Sequence, residues 1–152
     1  PSTFLGVMTH GFPNMLMPSG PQSGSASTNY PRGIEIGVNW VTDFLEFVWN
    51  NGYTRVEATL EAEDRWSQHV IKMYSTMLMR KAKSWFTGYN SNVKGHEEGK
   101  VRYLVYNGGT PKYVSTINDV AASGYEGVTL STGPLPPPSG TDAAGRNASG
   151  AD

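Results

Sequence analysis

The sequence predicts an α/β chain with several helices, short strands and a disordered tail. Apolar residues recur at three- and four-residue spacing over two long stretches, the mark of amphipathic helices. Short apolar runs fenced by proline and glycine lie around them and suit brief strands. From Thr132 to Asp152 the chain turns to Pro, Gly, Ser and Ala, a composition that cannot build a packed core and predicts disorder.

Phe4 to Met8 reads as the end of a strand or a strand-to-turn segment. Gly11-Phe12-Pro13-Asn14 leads into Met15-Leu16-Met17, bounded by Pro13 and Pro18, which predicts a brief buried strand. Pro18 to Arg32 is a loop by composition. Within it, Gly20-Pro21-Gln22-Ser23-Gly24-Ser25 leaves backbone amides without bulky shields, so a flat or anionic ligand can approach closely.

The first helix is expected over Ile34 to Asn51, its stripe formed by Ile34, Val38, Val41, Leu45 and Val48 with Phe44 and Phe47 beside it, and Gly52 as its stop. A second helix begins near Thr59, with Glu57, Glu61, Glu63 and Asp64 placing negative charge where the helix dipole favours it. Trp66, Val70, Met73 and Met77 form its stripe, and Lys81 and Lys83 fall near its end. Trp85 to Gly99 is a polar loop; Val101 to Tyr106 alternates like a strand; Pro111 can open a third helix that runs to about Ser123, stopped by Gly124; Tyr125 to Leu130 is a final strand. No internal repeat is present.

The chain has 152 residues, enough for one domain, and a formal net charge of -1, which gives no electrostatic reason for nucleic-acid partners. No run approaches the roughly 20 apolar residues that span a bilayer. The start at Pro1 carries neither a signal-peptide pattern nor an initiator methionine, which fits a fragment or a processed chain. Zero cysteines exclude disulfides and suit a reducing compartment, and the expected location is cytoplasmic.

Candidate chemistry is sparse. His10, His69 and His96 have no ligand spacing, so no metal site is expected. The acidic group from Glu57 to Asp64 is better explained by helix-terminal charge and solvation, with Glu61 and Arg65 as an i,i+4 pair, than by acid–base work. Ser23, Ser25 and Ser27 form no nucleophile elbow, because Pro21 occupies the turn. Asn147-Ala148-Ser149 is a glycosylation sequon only if the chain is secreted. Trp85 opens a Gly/Asn-rich loop; packing is the role expected from the residues alone, ligand contact the alternative.

Seven blocks together carry a resemblance: His10-Gly11-Phe12-Pro13-Asn14, Gly20-Pro21-x-Ser23, Trp40-Val41-Thr42-Asp43, Glu57-Ala58-Thr59-x-x-Ala62-Glu63-Asp64-x-Trp66, Ser84-Trp85-Phe86-x-Gly88-x-Asn90, Tyr106-Asn107-Gly108-Gly109 and Ala121-Ala122-x-Gly124-Tyr125-Glu126-Gly127. In order and spacing they resemble the C-terminal third of the type I flavin-dependent Baeyer–Villiger monooxygenases, over about residues 4 to 130. The resemblance implies the C-terminal part of a two-dinucleotide-binding-domain, Rossmann-like flavoprotein. Residues 1–131 would complete its FAD-binding domain, with a control loop at about 81–100 and the tail from 132 to 152. It implies FAD and NADPH as cofactors, a ketone and O2 as substrates, a C4a-peroxyflavin as oxidant, and an ester or lactone as product.

By the same resemblance Gly20, Pro21, Asn29 and Tyr30 would lie nearest FAD, Ser25, Ala26 and Ser27 would face the ketone, and Trp85 and Asn90 would meet NADP through the control loop. No catalytic residue falls in this segment; the family's catalytic arginine, glycine fingerprints and signature motif would come from the remaining N-terminal polypeptide. Many members have Gly-Pro-Gly-Ser-Pro-Ser where this chain has Gly20-Pro21-Gln22-Ser23-Gly24-Ser25, and the stretch from Lys94 to Lys100 is longer than the usual link. Two alternatives stand beside this reading: a related flavin N- or S-monooxygenase, and a non-catalytic helical interaction module whose Pro-rich end docks aromatic grooves.

Overall fold

The computed structural model describes residues 1–24, 28–95 and 103–133. Its elements run α1 (Tyr30–Asn50), β1 (Arg55–Ala58), α2 (Leu60–Ser75), 3₁₀ turns at Leu78–Lys81 and Trp85–Thr87, α3 (Thr110–Ala122) and β2 (Val128–Ser131). The expected tail falls mostly outside this range, as do Ser25, Ala26, Ser27, His96 and the sequon; Gly133, near the tail's start, still exchanges hydrogen bonds with Thr54.

The amino end is a tight reversal. Phe4 and Met8 form an antiparallel bridge, with Leu5 (φ 57°) and Gly6 (φ 74°) at the turn. Gly6 is required twice over, by its left-handed backbone and by the Ser23 backbone, which would lie 2.4 Å from any Cβ there. Met15-Leu16-Met17 is not a strand. Its neighbour Asn14 instead serves β1 from the side: its backbone N–H donates to Val56 O (2.8 Å) and its side-chain oxygen accepts from Val56 N (2.9 Å). A single polar side chain thus closes part of the edge that a strand would have covered.

Helix α1 begins at Tyr30, four residues before the periodic stripe, because Asn29 caps it by accepting from Arg32 N and Pro31 is tolerated in a first turn. Its buried track is Gly33, Gly37, Trp40, Val41 and Phe44. Val38, Leu45 and Trp49 face outward, Trp49 84% exposed. The buried track is rotated from the expected stripe: glycines carry no apolar signal, and Gly37 lets the helix press against Pro18. Trp40 stacks on Phe44, both meet Tyr125, and the Trp40 indole donates to Ile117 O at 2.8 Å.

Strands β1 and β2 pair antiparallel from Arg55–Ser131 to Ala58–Val128. β1 was not anticipated from the sequence. β2 starts later than the apolar run because Tyr125 (φ 64°) and Gly127 (φ 91°) turn the chain first. Helix α2 is capped by Thr59, which accepts from Ala62 N, and ends at Ser75, so Lys81 and Lys83 lie beyond it rather than in its last turn. Tyr103 to Tyr106 is not a strand either. Tyr103, Val105 and Tyr106 are buried, which produces the alternation, but the backbone bonds of Leu104 go to two separate segments rather than to a ladder. Among the described residues no helix is long and apolar enough to cross a membrane.

Candidate functional site

The loop after Pro18 is a fixed bend. Gly20 N–H donates to Gly6 O (3.0 Å), Ser23 N–H to Gly20 O (3.2 Å) and Gln22 N–H to Leu104 O (2.7 Å). Thr3 Oγ1 donates to Pro21 O (2.9 Å), and the Trp66 indole donates to Gln22 O (3.3 Å). Gly24 lies against the Tyr113 ring, whose hydroxyl donates to Leu5 O at 2.8 Å; burial pushes that phenol's pKa up. Gly20 and Pro21 are half-buried, and Asn29 and Tyr30 are exposed at the start of α1. The Asn29 side chain is engaged as the helix cap, while the Tyr30 ring is 54% exposed. A groove of about 540 Å³ opens beside them, lined by Thr28, Arg32, Ile36, Thr110, Pro111 and Val114.

The second element is the turn at Trp85. Ser84 caps it by accepting from Phe86 N, and Gly88 closes it in the left-handed conformation, its N–H donating to Trp85 O (3.0 Å). Thr87 is the buried anchor. Trp85 itself is 65% exposed and stacks on Phe86 with ring centroids 4.2 Å apart. Within this chain the indole covers the Phe86 ring and leaves most of its own surface outward. Asn90 is exposed, and its side-chain oxygen accepts from Asn92 N at 3.0 Å.

The acidic residues before and in α2 do more than flank a helix. Glu63, 8% exposed, accepts from Thr9 Oγ1 (2.9 Å) and His10 N (2.5 Å). Glu57 accepts from Gly11 N (2.9 Å) and pairs with Arg55 (2.6 Å), with His10 at 3.6 Å. Burial opposes ionisation of Glu57, but the Gly11 amide, the Arg55 guanidinium and His10 outweigh it and hold the carboxyl below its ordinary value. The two carboxylates clamp the Thr9–Gly11 backbone, so helix-terminal charge and solvation do not account for them. Glu61 and Arg65 do form the expected exposed i,i+4 pair, at 3.4 Å.

His69 stands apart, beside a groove of about 400 Å³ walled by Leu5, Trp66, Lys112 and Val120. Burial, then Lys112 and Lys72, push its pKa down. Among the described residues no three His, Asp or Glu side chains converge as a metal site would require.

Two flat, exposed aromatic rings, Tyr30 and Trp85, offer faces that suit planar cofactors. The bend differs from the expectation of open amides: the N–H groups of Gly20, Gln22 and Ser23 are spent on Gly6 O, Leu104 O and Gly20 O, and residues 22–24 are buried, because the bend packs against the rest of the chain. The structure joins the bend to the Trp85 turn through Leu104, whose N–H donates to Phe86 O (3.1 Å) while its carbonyl accepts from Gln22. Gln22, Leu104, Thr3 and Ser67, which hold this arrangement, carry no sequence signal beyond a glutamine standing in a Gly/Pro/Ser loop.

No family model matches the chain. Curated relatives do. It is 36% identical over 130 residues to the cyclopentanone 1,2-monooxygenase of Comamonas sp. (strain NCIMB 9872), covering 86% of this chain and 23% of that protein. It is 37% identical over 134 residues to the phenazine N-monooxygenase PhzNO1 of Lysobacter antibioticus, covering 88% of this chain and 24% of that one. Among solved structures, the cyclohexanone monooxygenase of Rhodococcus sp. Phi1 bound to NADP+ superposes with a TM-score of 0.77 at 34% identity, over 88% of this chain and 24% of that one. The chain spans about a quarter of the length of the curated relatives it matches.

Over this span the chain is thus similar, in fold and sequence, to flavoprotein monooxygenases of Rossmann-type fold. More particularly, over this span the chain is a homologue of the Baeyer–Villiger monooxygenases.

Proposed function

We propose that this chain is the C-terminal part of an FAD- and NADPH-dependent monooxygenase, completed by an upstream stretch of the same polypeptide, that inserts one oxygen atom from O2 into a ketone. The balanced reaction is ketone, O2, NADPH and a proton going to ester or lactone, NADP+ and water. The observation that carries it is the joint match, in sequence to a cyclopentanone monooxygenase and in fold to an NADP+-bound cyclohexanone monooxygenase, across nearly all the described residues.

The bound flavin supplies oxygen activation and the nicotinamide supplies the hydride. This chain's residues bind and orient. The fixed bend at Gly20 and Pro21, with Asn29 and Tyr30, lines the flavin; Ser25, Ala26 and Ser27 face the ketone; Trp85 and Asn90 meet the nicotinamide cofactor and help exclude water. In the full-length enzyme, Trp85→Ala is expected to raise KM for NADPH about tenfold, equivalent to about 1.4 kcal/mol of lost contact; an unchanged KM would remove Trp85 from this role.

A second reading has its own support in the 37% identity to a phenazine N-monooxygenase. The test is product analysis with the full-length enzyme, NADPH and O2 on a cyclic ketone, an aromatic N-heterocycle and a thioether. Ester or lactone is expected. N-oxide or sulfoxide without ester overturns the ketone assignment; failure to bind FAD together with no oxygenated product from any of the three overturns the enzyme assignment in favour of the interaction module.

A further inference from the structure

The residue that the structure singles out and the proposed reaction does not yet use is Gln22. It is 2% exposed and adopts φ 64°, a conformation that glycine takes freely and glutamine does not. Something must hold it there. Its Oε1 accepts from Thr3 N (3.1 Å), Thr3 Oγ1 (3.1 Å) and Ser67 Oγ (3.2 Å), and its Nε2 donates to Tyr103 O (3.4 Å). Its main chain bonds on both sides as well: N–H to Leu104 O and C=O from the Trp66 indole. One side chain and one peptide unit therefore gather the amino terminus, α2 and the Tyr103–Leu104 segment around the bend.

Leu104 is the crosspiece. It accepts from Gln22 on its carbonyl and donates to Phe86 on its N–H, and Phe86 is the ring on which Trp85 stacks. The route from the bend to the Trp85 turn is two consecutive backbone hydrogen bonds through a single residue. The Gln22 Nε2 bond to Tyr103 O fixes the peptide just before it. These two bonds give a displacement of the Trp85 turn a direct main-chain path to the bend, and the reverse.

We propose that Gln22 is a positioning residue that sets the Gly20–Gly24 bend and the Trp85 turn as one unit. On the reading that the bend lines the flavin and Trp85 meets the nicotinamide cofactor, on which the functional part of this inference rests, Gln22 fixes the two cofactor walls relative to each other. The tie itself does not depend on that reading.

The test uses Gln22→Gly in the full-length enzyme. Glycine accepts the left-handed backbone and deletes only the side-chain network. Amide hydrogen exchange is expected to rise about tenfold at residue 22, at Leu104 and at Thr87 to Tyr89 together, because they open as one unit. KM for NADPH is expected to rise about threefold to tenfold while kcat changes less than about twofold, as for lost positioning of a bound cofactor. Exchange that rises only at residues 20–24, with Leu104 and Thr87 to Tyr89 at wild-type rates, overturns the proposal. Coupled exchange with an unchanged KM leaves the tie standing and overturns the assignment of Trp85 to the nicotinamide cofactor. Should Gln22→Gly fail to fold, Ser67→Ala removes one of the three donors to Oε1; it is expected to raise exchange at the same sites by a smaller factor, and a rise confined to α2 overturns the proposal.

Discussion

Gly37 offers the sharpest test of how α1 is seated. A Cβ built at this position would lie 1.8 Å from the Pro18 carbonyl oxygen and 2.9 Å from its carbon. Ordinary contact begins near 3.4 Å, so Gly37→Ala requires a separation of about 1.5 Å between two backbones, neither of which can rotate out of the way. Two effects compete. Alanine in a helix interior is favoured over glycine by about 1 kcal/mol. Retreat of α1 loosens Trp40 from Ile117 and Phe44 from Tyr125, and overpacking of this kind costs about 1–3 kcal/mol and occasionally more. Because the obstacle is backbone, the upper end applies, and the net destabilisation is about 2–3 kcal/mol. For a chain of this size that lowers Tm by about 5–12 °C. Urea and thermal unfolding read it, with Asn39→Ala on the exposed side of the same helix as the control for propensity alone. A Gly37→Ala protein as stable as wild type would refute the close seating of α1 on Pro18.

Two further predictions concern the clamp on Thr9 to Gly11. Glu63→Ala removes the acceptor of the His10 amide and of the Thr9 hydroxyl, which also reaches Ser2 O at 3.3 Å, and is expected to cost about 1–3 kcal/mol in urea unfolding, more than Glu63→Gln, which keeps an acceptor; equal effects of the two would show that the hydrogen bonds are not what matters. Glu57 has a folded-state pKa below its ordinary 4.5. Between those two values the unfolded chain binds the extra proton, so the stabilisation is complete above the ordinary value and is lost as pH falls through the lowered one. The urea midpoint is therefore expected to drop as pH falls below about 4.5, and Glu57→Gln to flatten that slope; an unchanged slope in the variant would remove Glu57 from the account.

The three helices could be read because each carries local signals: the Thr59 cap, the Gly52 and Gly124 stops, and apolar spacing. Which face of α1 is buried could not, since Gly33 and Gly37 carry no apolar signal and the role of Gly37 shows only with Pro18 beside it. β1 was missed because Arg55-Val56-Glu57-Ala58 is short and half charged, and its partner lies far along the chain. The reverse error at Tyr103 to Tyr106 has the same root, since alternation records burial and says nothing of where the amides bond. In the site, small residues and an unusual tryptophan marked the bend and the turn. What joins them is main-chain bonding through Leu104, which no side-chain pattern encodes. Glu63 was explained away because the helix-dipole rule accounts for an acidic first turn whether or not the carboxylate has a deeper task.

The pairing of β1 with β2 has a consequence for how the molecule is made. Everything between Ala58 and Val128, including α2, the Trp85 turn and α3, lies inside the loop that this small ribbon ties off. A ribosome must release the far end before the knot can be drawn, so the ribbon is a late event with a high loop-closure cost. A chain cut before Val128 would lose β2 and leave β1 half dressed, with only Asn14 along one flank. Four residues, Val128 to Ser131, thus decide whether a strand laid down much earlier during synthesis has anything to hold.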